Sequence, residues 1–154
     1  MSRKILIVAH MGRAEAVSAA LETCELLIST GISPVMTAAE LADLRGSAVS
    51  KGHLAAVDDV LELGTDCKVQ DLELAIVLGG DGTILRAAEL VRDSQTALVG
   101  INLGHVGFLA ESERDGLRDA VDRIAKQDYL VKERLAIDVV VKVRDEVVYR
   151  TWAL

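Results

Sequence analysis

Residues 74–92 constrain the fold of this chain more tightly than any other stretch. An unbroken apolar run, Leu74-Ala75-Ile76-Val77-Leu78, meets Gly79-Gly80-Asp81-Gly82-Thr83. A run without polar alternation is what a strand buried on both faces of a parallel sheet requires. Beyond the glycines, Ile84, Ala88 and Val91 recur at helical spacing with Leu85 beside them, so the spacing predicts a helix. The unit is strand, three-glycine turn, helix.

The turn has a chemical use. Glycine lets the backbone bend sharply and come close to a ligand. A helix start offers unpaired N–H groups and the positive end of a dipole, which suit phosphate. Asp81 is the odd member, since a bare carboxylate repels phosphate. It can serve there by holding a Mg²⁺ that bridges to phosphate, or by accepting the proton of a hydroxyl that attacks phosphate. Against both stands a structural reading in which Asp81 caps the helix. Residue chemistry alone leaves the three open.

Residues 5–8 read as a first buried strand. Val17, Ala20, Leu21, Cys24, Leu27 and Ile28 then mark one helix face, with Gly31 as its stop. Pro34-Val35-Met36 gives a second strand, so the chain opens as strand–helix–strand. No GxGxxG and no GxxxxGK[ST] occurs. The first strand is not followed by an acidic pair, which argues against a flavodoxin-like receiver. Residues 38–71 read as surface helices and loops: one short helix on Leu41 and Leu44, another on Leu54, Val57, Val60 and Leu61. Asp58, Asp59 and Glu62 would form its solvated side. Residues 97–101 are a further buried strand, ending on the same sheet edge as the Asp81 turn, so that two loops face each other across a crevice. Ser112 with Asp115 suggests a capping box for a helix buried through Leu117, Val121 and Ile124.

The period changes after that. Leu135, Ile137, Val139, Val141 and Val143 alternate with partners that include Asp138, Lys142 and Arg144, the pattern of an antiparallel strand wet on one face. Asp145-Glu146 would turn the chain into a second strand over 147–154. The expected architecture is therefore α/β: residues 1–128 form a Rossmann-like open parallel sheet with flanking helices. Residues 129–154 begin a β-rich domain that is cut off.

Composition sets outer limits. Hydrophobic residues are 51% of 154 and net charge is −7, so the chain is globular and its acidic surface argues against a nucleic-acid partner. Cys24 and Cys67 form no CxxC, which fits a reducing cytoplasm. The N-terminal apolar segment is too short for a signal peptide, and no apolar run reaches the roughly 18 residues that a membrane span needs. His10, His53 and His105 show no metal-ligand spacing.

Gly79–Thr83 resembles the GGDGT motif shared by NAD kinases, diacylglycerol and sphingosine kinases and, as GGDGS, phosphofructokinases. Residues 100–109, Gly-Ile-Asn-Leu-Gly-His-Val-Gly-Phe-Leu, resemble the NxGxxGFL motif of NAD kinases. Lipid kinases usually continue GGDGT with Leu-Asn-Glu, whereas Ile84-Leu85-Arg86 stands here. The two motifs in this order make the resemblance to NAD kinases specific, over nearly the whole chain. It implies phosphoryl transfer from ATP, or from polyphosphate, to the 2′-hydroxyl of NAD. Mg²⁺ would arrive with ATP, and the full-length protein would form dimers or tetramers. A β-rich C-terminal domain would complete the NAD pocket, so residues 1–154 alone should show little turnover.

By the same resemblance Asp81 takes the 2′-hydroxyl proton. Gly80, Gly82 and Thr83 line the phosphate and ribose neighbourhood with backbone donors. Leu85 lies against the dinucleotide or in the core. Arg86 contacts phosphate or is solvated. Asn102 bonds the ligand or braces its loop. Phe108, the only phenylalanine, walls the nicotinamide or adenine, or covers the sheet edge. Two rivals stand beside this reading: another GGDGT kinase acting on a lipid or sugar, and a non-catalytic nucleotide-binding module.

Overall fold

The computed structural model describes residues 2–51, 55–103, 112–113 and 116–154. Strand β1 (Lys4–Ala9) leads into α1 (Ala14–Ser29), and β2 (Ser33–Met36) into α2 (Ala38–Lys51). A short α3 (Ala55–Asp58) precedes β3 (Leu61–Glu62). The central unit is β4 (Leu74–Leu78) and α4 (Asp81–Val91), followed by β5 (Ala97–Asn102), β6 (Ser112–Glu113) and α5 (Leu117–Ala125). A hairpin, β7 (Ile137–Val143) and β8 (Glu146–Ala153), forms a second sheet.

Among the described residues the main sheet has six strands in the order β3-β2-β1-β4-β5-β6, every neighbour pair parallel. This is the doubly wound order, with the chain turning outward in opposite directions from β1 and β4. β1 and β4 are buried on both sides, as their unbroken apolar runs require. Ile5, Ile7, Ile76 and Leu78 face one core with α1, α2 and α5. Leu6, Val8, Ala75 and Val77 face the other with Ile84, Ala87 and Val91 of α4. Helix α1 ends where its glycine predicts. Gly31 takes φ +77°, Gly31 N–H donates to the Ile28 carbonyl and Ile32 N–H to the Leu27 carbonyl. Burial pushes the Cys24 thiol up to about 12, the state of a core residue rather than a nucleophile.

Five expectations are corrected. Residues 38–71 are not a surface layer: α2 spans 14 residues and buries Leu41, Leu44 and Ala48, while Val57 and Val60 join the same core. Leu61 and Glu62 continue no helix; they form the edge strand, with Leu61 opposite Val35. Leu54 lies outside the described residues. Ser112 belongs to β6, opposite Ile101, and the N-cap of α5 is Gly116; Asp115 lies outside the described residues. The hairpin turns on Arg144-Asp145, both at positive φ (48° and 66°), and Glu146 already pairs with Val143. Leu135 precedes β7, and the expected dry face is exposed except at half-buried Val139. A lone two-stranded sheet has no second layer to cover it. The hairpin meets α4 through Trp152, whose Nε1–H donates to Glu89 and whose ring lies 5.4 Å from the Arg92 guanidinium.

At the opposite edge of the sheet from the glycine turn, a charged clamp joins β1, β4 and α5. Arg3 donates twice to Glu73, at 2.6 Å each, and also to the Ile124 and Ala125 carbonyls at the end of α5. Tyr129 OH adds a bond to Glu73 at 2.8 Å. The Arg3 bonds hold the Glu73 carboxyl below the usual range, against the opposing effect of its burial. Replacing Glu73 by Gln is expected to lower unfolding stability by about 2 kcal/mol, read by urea denaturation at pH 7. Because the folded-state pKa is depressed, that difference should be complete above about pH 5 and close as pH falls through the lowered value. A difference that does not shrink in acid would assign it to packing.

Candidate active site at the β1–β4 switch point

The parallel register of β1, β4 and β5 brings their carboxyl ends to one edge. There the β1 loop, His10–Arg13, faces the turn after β4. Gly79 N–H donates to the Ile101 carbonyl at 3.0 Å, which joins the glycine turn to β5. Between these loops lies a cleft of about 610 Å³, walled by the β1 loop, the first turn of α2, the glycine turn, Asn102 and Leu103. This is where ligands bind in open α/β sheets.

The three glycines are there for different reasons. A Cβ on Gly79 would sit 2.5 Å from Thr83 Oγ1 and 2.9 Å from Thr83 Cβ, so the fold itself demands glycine. A Cβ on Gly80 or Gly82 would meet nothing within 4 Å, and neither residue has positive φ. Both line the cleft. The packing of the fold gives no reason for glycine at these two positions.

Helix α4 starts at this turn. Gly80 is its N-cap and brings no side chain to it. Asp81 is the first helical residue, half-buried between the two cleft glycines, so the simple reading of Asp81 as the N-cap does not describe it. An acidic group in the first turn still suits the helix dipole. Thr83 N–H and Ile84 N–H both donate to the Gly80 carbonyl, at 3.0 and 3.1 Å. The Thr83 amide is therefore engaged within the turn, and its hydroxyl is pressed against Gly79.

Of the residues expected at the site, Gly80, Gly82, Thr83, Arg86 and Asn102 line the cleft together. Asp81 adjoins this wall but is not part of it. Leu85 is 44% exposed and lies outside the wall, which excludes the core alternative for it. Phe108 lies outside the described residues, as does most of the NxGxxGFL stretch. Arg86 is not merely solvated: its Nη2 donates to Glu40 Oε1 and to the Ala9 carbonyl, both at 2.8 Å. Arg86 is also part of the cleft wall. Among the described residues, no three His, Cys, Asp or Glu side chains come together to hold a metal ion. No helix there is long and apolar enough to cross a membrane.

Sequence reasoning missed two contributors. The β1 loop brings His10 and Arg13 to the cleft, and nothing local marks them beyond a basic residue ahead of a helix. Glu40 is the second, 4% exposed in the cleft wall. Thr37-Ala38-Ala39-Glu40 does fit the capping-box pattern, which was the available signal.

Strand order, cleft and glycine turn define an open α/β domain with a switch-point site that uses neither of the common phosphate-loop fingerprints. Residues 5–129 match the family described as the ATP-NAD kinase N-terminal domain, and the chain belongs to that family. It is 51% identical over 152 residues to the NAD kinase of Leifsonia xyli subsp. xyli, covering 99% of this chain and 48% of that protein. The NAD kinase of Thermobifida fusca is 43% identical over 157 residues, and that of Mycobacterium tuberculosis 41% over 160, again across 99% of this chain and 47% and 50% of theirs. The chain thus spans about half the length of these relatives. Among solved structures, yeast NADH kinase complexed with NADH shares the fold, with a TM-score of 0.73 at 18% identity over 99% of this chain and 46% of that one.

Proposed function

We propose that the whole protein is an NAD kinase, transferring the γ-phosphoryl group of ATP, or a phosphoryl group of polyphosphate, to the adenosine 2′-hydroxyl of NAD. The observation that carries this reading is the pair of cleft-facing glycines flanking Asp81 in a chain of the ATP-NAD kinase family. Space left by two missing side chains at a helix start lets phosphate approach backbone N–H groups. Asp81 accepts the proton of the attacking hydroxyl. A carboxylate suffices for this, because phosphoryl transfer asks for positioning more than for basicity.

Arg86 offers its remaining N–H groups to phosphate, Asn102 a polar contact, and exposed Leu85 an apolar surface for the dinucleotide. Phe108 is proposed as a wall of the base pocket. Mg²⁺ would arrive with ATP, held by the nucleotide's own phosphates, and would neutralise charge on the transferring group. Residues 129–154 are proposed as the first strands of a β-rich domain that completes the NAD pocket, in a cytoplasmic protein that forms dimers or tetramers and uses neither nucleic acid nor membrane.

The test is direct. Full-length protein supplied with NAD, ATP and Mg²⁺ is expected to form NADP, measured with an NADP-specific dehydrogenase. Residues 1–154 alone are expected to show little or no turnover. ATP consumption with a lipid or sugar acceptor and none with NAD would favour a different GGDGT kinase.

A further inference from the structure

We propose that Glu40 is a positioning residue of this site, holding the Arg86 guanidinium where a phosphate-bearing ligand meets it. The proposal rests on the reading of the cleft given above. Glu40 is a buried carboxylate whose two oxygens are used differently. Oε2 accepts the Thr37 hydroxyl at 2.7 Å, within the start of α2. Oε1 leaves its own helix. It accepts the Ala9 N–H at 3.1 Å, at the end of β1, and Arg86 Nη2 at 2.8 Å, from the second turn of α4. Arg86 Nη2 returns to the Ala9 carbonyl at 2.8 Å. Ala9, Glu40 and Arg86 thus close a three-membered cycle over the carboxyl end of β1.

The place of this cycle matters more than its energy. Helix α2 packs on one face of the sheet and α4 on the other. The Glu40–Arg86 pair therefore reaches across the sheet edge at the point where the chain reverses direction. A glutamate serving only to start α2 has no need of partners on β1 and α4. Arg86 is half-exposed, so an unanchored guanidinium at this position could turn to solvent. Both Nη2 hydrogens are taken by Glu40 and Ala9. Among the described residues Nε and Nη1 meet no acceptor, and they remain for an anion in the cleft. The pair also works in reverse: without Arg86, the cleft wall would present an unpaired buried carboxylate to incoming phosphate. Glu40 thus acts on the ligand only through Arg86.

ATP and NAD both carry phosphates, and the experiment separates them. Full-length protein, unaltered and as E40A, R86M and E40A/R86M, is assayed for NADP formation, with KM taken for ATP and for NAD. Thermal stability is measured on each protein. E40A is expected to raise KM for one of the two nucleotides about tenfold. In the R86M protein, E40A should raise that KM no further, or should lower it. The substrate whose KM moves identifies the phosphate that Arg86 holds. Equal KM increases in both backgrounds, or unchanged KM values in E40A, would overturn the proposal. Should E40A fail to fold, E40Q is carried through the same cycle. It keeps an oxygen for the Ala9 N–H but no charge opposite Arg86, so about a threefold rise is expected; no rise overturns the proposal. Failure of the unaltered protein to form NADP would reject the kinase reading instead. Calorimetric titration of the same proteins with ATP and NAD still reads the Glu40–Arg86 coupling in that case.

Discussion

Replacing Asp81 by Asn in the full-length protein is expected to lower kcat for NADP formation about a thousandfold while leaving NAD affinity within about threefold. Asn matches Asp in shape at the first position of α4. The lost charge weakens the favourable interaction with the helix N-terminus by about 1 kcal/mol. On the proposed mechanism, what Asn removes is the ability to receive a proton from the attacking hydroxyl. The glycines, Arg86 and the cleft stay in place, so the dinucleotide should still bind. Single-turnover rates, NAD titration and thermal melts on one protein preparation separate these effects. Unchanged turnover would reduce Asp81 to a partner of the helix dipole and support a non-catalytic nucleotide-binding module. Loss of NAD binding in parallel with kcat would make it a ligand contact rather than a base.

Where local pattern and long-range packing agree, the sequence was sufficient. The unbroken apolar runs of β1 and β4, the helical stripe of α4 and the Gly31 stop each describe a residue's own surroundings, and the structure has them as read. Failure came where a partner decides. Val57, Val60 and Leu61 keep helical spacing, yet Leu61 belongs to a two-residue edge strand because Val35 and Met36 present an open ladder beside it. The turn at Arg144-Asp145 carries neither Gly nor Asn, the usual residues at positive φ, so only the pairing of β7 with β8 sets it.

The site divides in the same way. Gly80, Gly82, Thr83, Arg86 and Asn102 were legible as a motif and line one cleft. Glu40 was not, because its bonds to Ala9 and Arg86 span 31 and 46 positions of sequence. Its capping-box spacing to Thr37 showed a local role and concealed the distant one.

Two alanine substitutions three positions apart are expected to fail in opposite ways, and the contrast tests the cleft itself. In G79A the new methyl runs into the Thr83 side chain, at 2.5 Å from its hydroxyl oxygen. Either the helix start or the end of β4 must move. Overpacking of this kind costs about 1–3 kcal/mol, so a lowered melting temperature should accompany the loss of activity. In G82A the methyl enters open space in the first turn of α4. Alanine favours a helix over glycine by up to about 1 kcal/mol, so this variant should melt at or above the temperature of the unaltered protein. Turnover should nevertheless fall about a hundredfold, because the methyl occupies the space through which phosphate reaches the helix start and displaces the reacting groups. Stability and activity then move in opposite directions in one variant, which no purely structural role for the residue can produce. A G82A protein with full activity would show that the space beside Gly82 is not ligand space, and the placement of phosphate against the α4 N-terminus would fall with it.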